Sequence, residues 1–233
     1  MKMSTYDSSR TVKHSKENAL GDVEFELLFE GASEMSDYYG MQAQAAVLIL
    51  GRLGLRRGEL AHFKSNWVNV REKMMTIPLY EPCEGEKNGD GPCGYCRQLA
   101  KGKAERREDV TKEEIMNSQW EPKTGAAARD VYYGFDARVE MFLERFIENW
   151  DSWIWSAQSV NRRIEKAAEN AHMQADVTPH TLRATAATYH AARGLEMHAL
   201  MQYFGWAQPS TAEVYLARNG RNTARQLDSI HSR

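Results

Sequence analysis

Between Asp37 and Leu53 lies a helical segment whose centre, Ala45-Ala46-Val47-Leu48-Ile49-Leu50, is apolar on every side. A helix with no polar face must be covered all round, so it belongs inside a core and not on its surface. Gly54 follows it, the residue that most cheaply takes the left-handed turn past a helix end. Apolar spacing predicts further helices over Asp22–Glu34, Gly58–Phe63, Ala137–Asn149, Ser159–Met173 and Glu196–Phe204. Thr178-Pro179 starts another, with a capping hydroxyl before a proline at the first helical position. His180 and Arg183 then stand one turn apart on the same face, and Gly194 closes that helix. Gly205 leaves Trp206 at an exit turn, and Pro209 opens the short helix that carries Tyr215. Trp67–Val70 with Met74–Ile77 reads as a β-hairpin. Gln119–Lys123 with Arg129–Tyr133 reads as a second, with Lys123 near its tip. The fold class expected is α+β, mainly α-helical with a small antiparallel β-sheet.

At 233 residues and 42% hydrophobic, the chain can bury one good-sized core. No apolar run approaches the ~20 residues needed to span a bilayer. The start, MKMSTYDSSRTVKHSKEN, lacks the apolar stretch of a signal peptide, so a cytoplasmic protein is expected. Residues 1–19 are polar and aperiodic, a flexible arm. The net charge of −2 argues only mildly against a nucleic-acid partner, because distribution matters more than the sum. Gln98–Arg107 holds four cations and one acid, and Arg218–Arg233 holds four cations against Asp228. Arg97, Lys101, Lys103, Arg106 and Arg107 are candidates for phosphate contact; for Arg162, Arg163 and Lys166 a solvated helix face is the more frequent explanation.

The residues with chemistry to offer come in the order Arg56, Lys123, His180, Arg183, Trp206, Tyr215. Arg183 follows His180 by three positions, Trp206 follows after twenty-three more, and Tyr215 after nine more. Such a set suits attack on a phosphodiester without a metal. Arginines hold phosphate oxygens, a lysine protonates a departing alkoxide, a histidine manages a proton and a tyrosine is the nucleophile. Taken singly, each has an ordinary reading: surface arginines, a capping histidine, a core tryptophan, a half-buried tyrosine. Tyr189 and Tyr203 compete with Tyr215, and Lys101 or Lys112 with Lys123.

GLRRGEL (Gly54–Leu60), PKTGAAARDVYY (Pro122–Tyr133), HTLRATAATYHAARG (His180–Gly194) and YFGWAQPSTAEVYL (Tyr203–Leu216) together resemble the boxes of the tyrosine recombinases, the phage-integrase family. The place of Trp206 is usually histidine in that family. The resemblance implies the DNA breaking-rejoining enzyme fold over residues 20–217, with an insertion at about 81–118, and a tail, 218–233, exchanged between protomers. It implies a site-specific DNA recombinase working through a 3′-phosphotyrosyl intermediate, with Tyr215 as nucleophile and Arg56 and Arg183 on the non-bridging oxygens. Lys123 would be the proton donor, His180 the acceptor, and Trp206 would shape the pocket. Neither ATP nor a catalytic metal is implied. The expected partner is double-stranded DNA, bound by a homo-tetramer that is monomeric without it. Family members usually carry a helical core-binding domain ahead of the catalytic one, whereas only some twenty residues precede it here, so weak DNA binding is expected. Two rivals remain: a type IB topoisomerase, and a non-catalytic, zinc-stabilised DNA-binding regulator.

All three cysteines fall in the insertion: Cys83, Cys93 and Cys96, the last two as Cys-Gly-Tyr-Cys. Such a knuckle holds two thiolates at the spacing a tetrahedral zinc needs, and Cys83 would add a third. Glu84, Asp90, His62 or a partner molecule would supply the fourth ligand. The competing reading is three free thiols in a mobile loop; a disulfide does not suit a cytosolic chain.

Overall fold

A computed structural model describes residues 18–85, 91–107, 109–117, 119–216, 227–228 and 231. Most of the expected arm (1–19) and of the expected tail (218–233), and part of the insertion, lie outside the described residues.

The apolar segment forms α2 (Asp37–Gly51), and the all-round burial its composition demands is met. Residues 45–50 of this helix are at most 2% exposed. Its covering comes from α1 (Asp22–Ser33), α6 (Ala137–Asn149), α7 (Ala157–Asn170) and α8 (Pro179–Ala192), all of which pack against it. Gly54, at φ +66°, makes the turn after α2, and a Cβ there would lie 2.2 Å from the Phe204 ring. The chain then enters α3 (Arg57–Ala61), with Arg56 as its N-cap.

A second, smaller core joins α8 to α9 (Met197–Phe204) and α10 (Pro209–Leu216), centred on Ala187, Leu200, Phe204 and Ala212. Thr178 caps α8 by accepting from the Thr181 amide at 3.1 Å, with Pro179 in the first turn. Gly205 ends α9 in the left-handed conformation. There a Cβ would meet Ala126 O and Ala127 Cα at 2.8 Å each, so only glycine lets this turn and the 126–127 backbone touch.

The sheet corrects one expectation. β1 (Val68–Asn69) and β2 (Met74–Ile77) form the first hairpin, but Gln119–Lys123 is not a strand. β3 (Arg129–Tyr132) instead pairs antiparallel with β2, Met75 opposite Val131, giving the order β1-β2-β3. Gln119 and Trp120 are drawn elsewhere. Trp120 exchanges both backbone hydrogen bonds with Glu81 (2.7 and 2.9 Å), and Gln119 O accepts from the Cys83 amide. The Trp120 ring is buried between the rings of Trp67 and His62, stacked on both. Pro122, with no N–H to give to a ladder, and a tight 3-10 turn at Gly125–Ala127 then separate this segment from β3. The insertion also holds two helices that periodicity did not mark, α4 (Gly94–Ala104) and α5 (Lys112–Asn117), packed on each other.

Candidate active site

Arg56 is placed by the Gly54 turn, and Glu59, one turn into α3, reaches back to accept from its backbone amide at 2.8 Å. The same carboxylate accepts from Arg56 Nη1 at 2.7 Å. Arg56 Nη2 donates to Gly205 O at 3.0 Å, so one guanidinium spans from the α3 entry to the α9 exit. Arg183, buried on α8, donates from Nη1 to Gly54 O and from Nη2 to Phe204 O. Arg183 therefore ties the Gly54 turn to the end of α9, and Arg56, which follows Gly54, reaches the adjacent Gly205 carbonyl. Each guanidinium has five N–H donors in a fixed fork, and these bonds leave donors on both for a further acceptor.

Beneath them lies a pair of residues that sequence reasoning missed. Arg129, at the start of β3, makes a two-pronged pair with Glu59, both distances 3.0 Å, with side-chain exposures of 4% and 1%. Arg129 also donates to Tyr203 O and Ala127 O, both at 2.7 Å. Burial alone would raise the Glu59 carboxyl, but Arg129, Arg183 and Arg56 outweigh it and hold it at about 2. Burial likewise pushes the Arg183 guanidinium well below its usual value, with Glu59 opposing and Arg56 and Arg129 adding to the fall. Three clustered cations around one buried anion leave an excess of positive charge, which suits an anionic ligand. A sequence signal for Glu59 existed: an acid three residues after Arg56, where it can cap the helix. Arg129 gave none, since its burial cannot be read from its neighbours.

A cleft of about 310 Å³ opens over this network, lined by Arg56, Arg57, Asn161, Thr178, Pro179, His180 and Arg183. His180 is exposed at its rim. Trp206 stacks between Phe204 (centroids 4.9 Å, planes at 20°) and Tyr215 (5.2 Å, 10°). Arg183 lies 5.9 Å from the Trp206 ring centroid, and the Tyr215 phenol is close enough to favour the charged form of Arg183. Of the six residues singled out, Arg56, His180 and Arg183 thus share one cleft, and the Trp206–Tyr215 pair adjoins Arg183. Lys123 does not line that cleft. It is exposed in the loop whose far end, Ala126–Ala127, rests on Gly205.

The competing tyrosines sit elsewhere. Tyr203 Oη donates to Tyr132 O at 3.0 Å, and burial pushes its phenol well above the usual value. The Tyr189 ring lies under the guanidiniums of Arg52 and Arg193, at 4.2 and 3.5 Å. Several candidate DNA-facing cations are paired with acids: Lys101 with Glu105, Lys103 with Glu121, Arg107 with Asp109 and Lys166 with Glu169. Arg163 donates to Gln42 at 3.0 Å and lies over the Tyr39 ring. Cys83, Cys93 and Cys96 come together with His62, their ligand atoms all within 4.8 Å of one another, and none lines the cleft. No helix among the described residues is long and apolar enough to cross a membrane.

Comparison with known proteins shows the family and the fold. The family model described as the phage integrase family matches residues 22–221. A tyrosine recombinase XerC of Proteus mirabilis is 23% identical over 201 residues, covering 86% of this chain and 55% of the relative. A XerC of Natranaerobius thermophilus is 25% identical over 155 residues, covering 63% and 48%. The chain thus spans about half the length of these curated relatives. The fold matches a crystal structure of XerA recombinase (TM-score 0.59, 20% identity, 91% of this chain and 64% of that one). It also matches a Tn1549 transposon integrase in complex with a circular intermediate DNA (TM-score 0.62, 15% identity, 91% and 65%).

Proposed function

Because the chain belongs to the phage integrase family, we propose that it cleaves and rejoins DNA at specific sites, exchanging strands through a 3′-phosphotyrosyl intermediate. The observation that carries this reading is the cleft itself. Two arginines anchored to backbone carbonyls flank it, and a tyrosine held flat on Trp206 adjoins it.

Tyr215 Oη attacks the scissile phosphorus, making a phosphotyrosyl bond as the bond to the 5′-oxygen breaks. The charge that builds on the non-bridging oxygens meets the remaining N–H donors of Arg56 and Arg183, already oriented by Glu59 and by backbone carbonyls, so little reorganisation is needed. His180 takes the phenolic proton, and Lys123 gives one to the departing 5′-oxygen when its loop meets the duplex. Trp206 fixes the ring plane of Tyr215 and offers its indole N–H to a phosphate oxygen. The phosphotyrosyl bond conserves the energy of the phosphodiester, so a 5′-hydroxyl from a second duplex reverses the step without ATP. The solved structures of a Tn1549 transposon integrase with transposon right end DNA and of a XerH recombinase bound to its difH substrate support a DNA partner. Assembly as a tetramer on two duplexes is part of the proposal.

The test is incubation with paired duplexes bearing candidate attachment sequences and with a supercoiled plasmid carrying the same sequences. Holliday junctions and recombinant products support strand exchange. Relaxation of the plasmid with neither product makes the protein a type IB topoisomerase, and sequence-specific binding with no cleavage makes it a DNA-binding regulator.

A further inference from the structure

We propose that His62, Cys83, Cys93 and Cys96 form a structural zinc site that braces α3, the helix behind Arg56, against the insertion. It deepens the reading above without putting a metal into the chemistry.

The geometry is that of a tetrahedral shell. His62 Nε2 lies 3.1 Å from Cys96 Sγ and 3.5 Å from both Cys83 Sγ and Cys93 Sγ. Zinc bonds of ~2.3 Å to sulfur and ~2.0–2.1 Å to nitrogen at tetrahedral angles would set these edges at about 3.6 Å. Three thiols and an imidazole turned inward on one point, with Cys96 fully buried and Cys93 8% exposed, have no apolar packing reason to converge. Of the other fourth-ligand candidates, Glu84 is paired with Lys64 at 2.9 Å, and Asp90 lies outside the described residues.

The surroundings are those of a ligand shell. His62 Nδ1 donates to Gly58 O at 2.7 Å, which fixes the tautomer that leaves a lone pair on Nε2 for a metal. The Cys93 amide points at Cys83 Sγ, 3.3 Å away, a bond that favours a thiolate there. The His62 ring stacks on Trp120 at 5.0 Å, the residue whose backbone ties it to Glu81. This was the segment withdrawn from the second hairpin.

The consequence reaches the active site. Gly58, whose carbonyl orients His62, lies between Arg56 and Glu59 on one side and the knuckle on the other. A Cβ on Gly58 would strike the Tyr95 hydroxyl at 2.7 Å, and Tyr95 is one of the two residues between Cys93 and Cys96. The metal therefore holds the knuckle flat on the α3 backbone from which Arg56 and Glu59 project.

Zinc analysis of the full chain, purified without chelator and free of DNA, should find one equivalent. Cobalt(II) reconstitution should give the visible ligand-field bands of a tetrahedral ion with thiolate charge transfer. His62→Ala should weaken zinc binding by more than the ~10–100-fold that loss of an outer-shell partner costs. His62→Cys should retain one equivalent and shift the cobalt spectrum toward four thiolates, which separates lost ligation from lost folding. Zinc-free protein with three titratable thiols, an octahedral cobalt spectrum, or His62→Ala with unchanged affinity would each overturn the proposal. These readouts need no DNA, so they stand or fall apart from strand exchange. With the site confirmed, stripping zinc should slow cleavage while leaving the nucleophile unchanged.

Discussion

Tyr215 lies flat on Trp206, ring centroids 5.2 Å apart and planes within 10° of parallel. Trp206 in turn stacks on Phe204, whose carbonyl accepts from Arg183. The Tyr215 ring is thus oriented by a column of rings that ends beside the buried arginine. Replacing Trp206 with alanine removes the middle of that column, and cleavage should fall by at least ~10-fold because a reacting group held off its line loses rate steeply. Trp206→Phe keeps a ring surface and should recover most of it. Cleavage rates under single-turnover conditions check both; equal losses in the two variants would assign the effect to the indole N–H instead.

Arg183 and Glu59 have different failures. Arg183→Lys keeps a charge but cannot donate to Gly54 O, Phe204 O and a phosphate together, so cleavage should drop by ~10² or more, the scale for one lost preorganised donor. Glu59→Gln removes the anion that three arginines share. Breaking a buried pair from one side costs ~3–5 kcal/mol, so this variant should lose stability as well as cleavage. Chemical denaturation beside cleavage assays separates them, and a Glu59→Gln protein as stable as the parent would show that water, not Glu59, balances Arg129.

Acid should destabilise the fold through two buried groups. Burial first, with Arg52 and Arg193 adding, pushes His190 down to about 4 although it donates to Arg52 O at 2.8 Å. Below an ordinary histidine value the unfolded chain takes up a proton that the folded one refuses, so stability falls as pH drops from ~6.5 toward 4. Glu59, held at about 2, adds a loss below the ordinary carboxylate range, where the unfolded chain protonates first. Between pH 7 and pH 5 the His190 share comes to about 2 kcal/mol. Urea titrations at both pH values should show that difference shrinking in His190→Gln, and an unchanged difference would contradict it.

Much of this was legible in the chain. The six apolar residues of α2, the Thr178-Pro179 cap and the glycine stops at 54 and 205 are local signals, and the helices they mark form where expected. What failed was a choice among partners. Gln119–Trp120 has strand-like residues, but its partner is Glu81, fixed by where the Trp120 ring finds a stack, which is a tertiary fact. The convergence of Arg56, His180 and Arg183 was anticipated from the ordered boxes. Arg129 was not, because a cation at a strand start is ordinary until its burial against Glu59 is seen. The approach of His62 to the three cysteines is likewise set by tertiary packing and not by any local signal.

Strand exchange as proposed requires Tyr215 to bond to a DNA phosphate. A pool of nicked duplexes that lose a short strand on cleavage traps any covalent intermediate, and digestion followed by peptide mass analysis locates the attached nucleotide. A nucleotide is expected on the peptide containing Tyr215, with a free 5′-hydroxyl on the released strand and no adduct from Tyr215→Phe. An adduct on Tyr203 or Tyr189, or one that persists in Tyr215→Phe, would contradict this role for Tyr215.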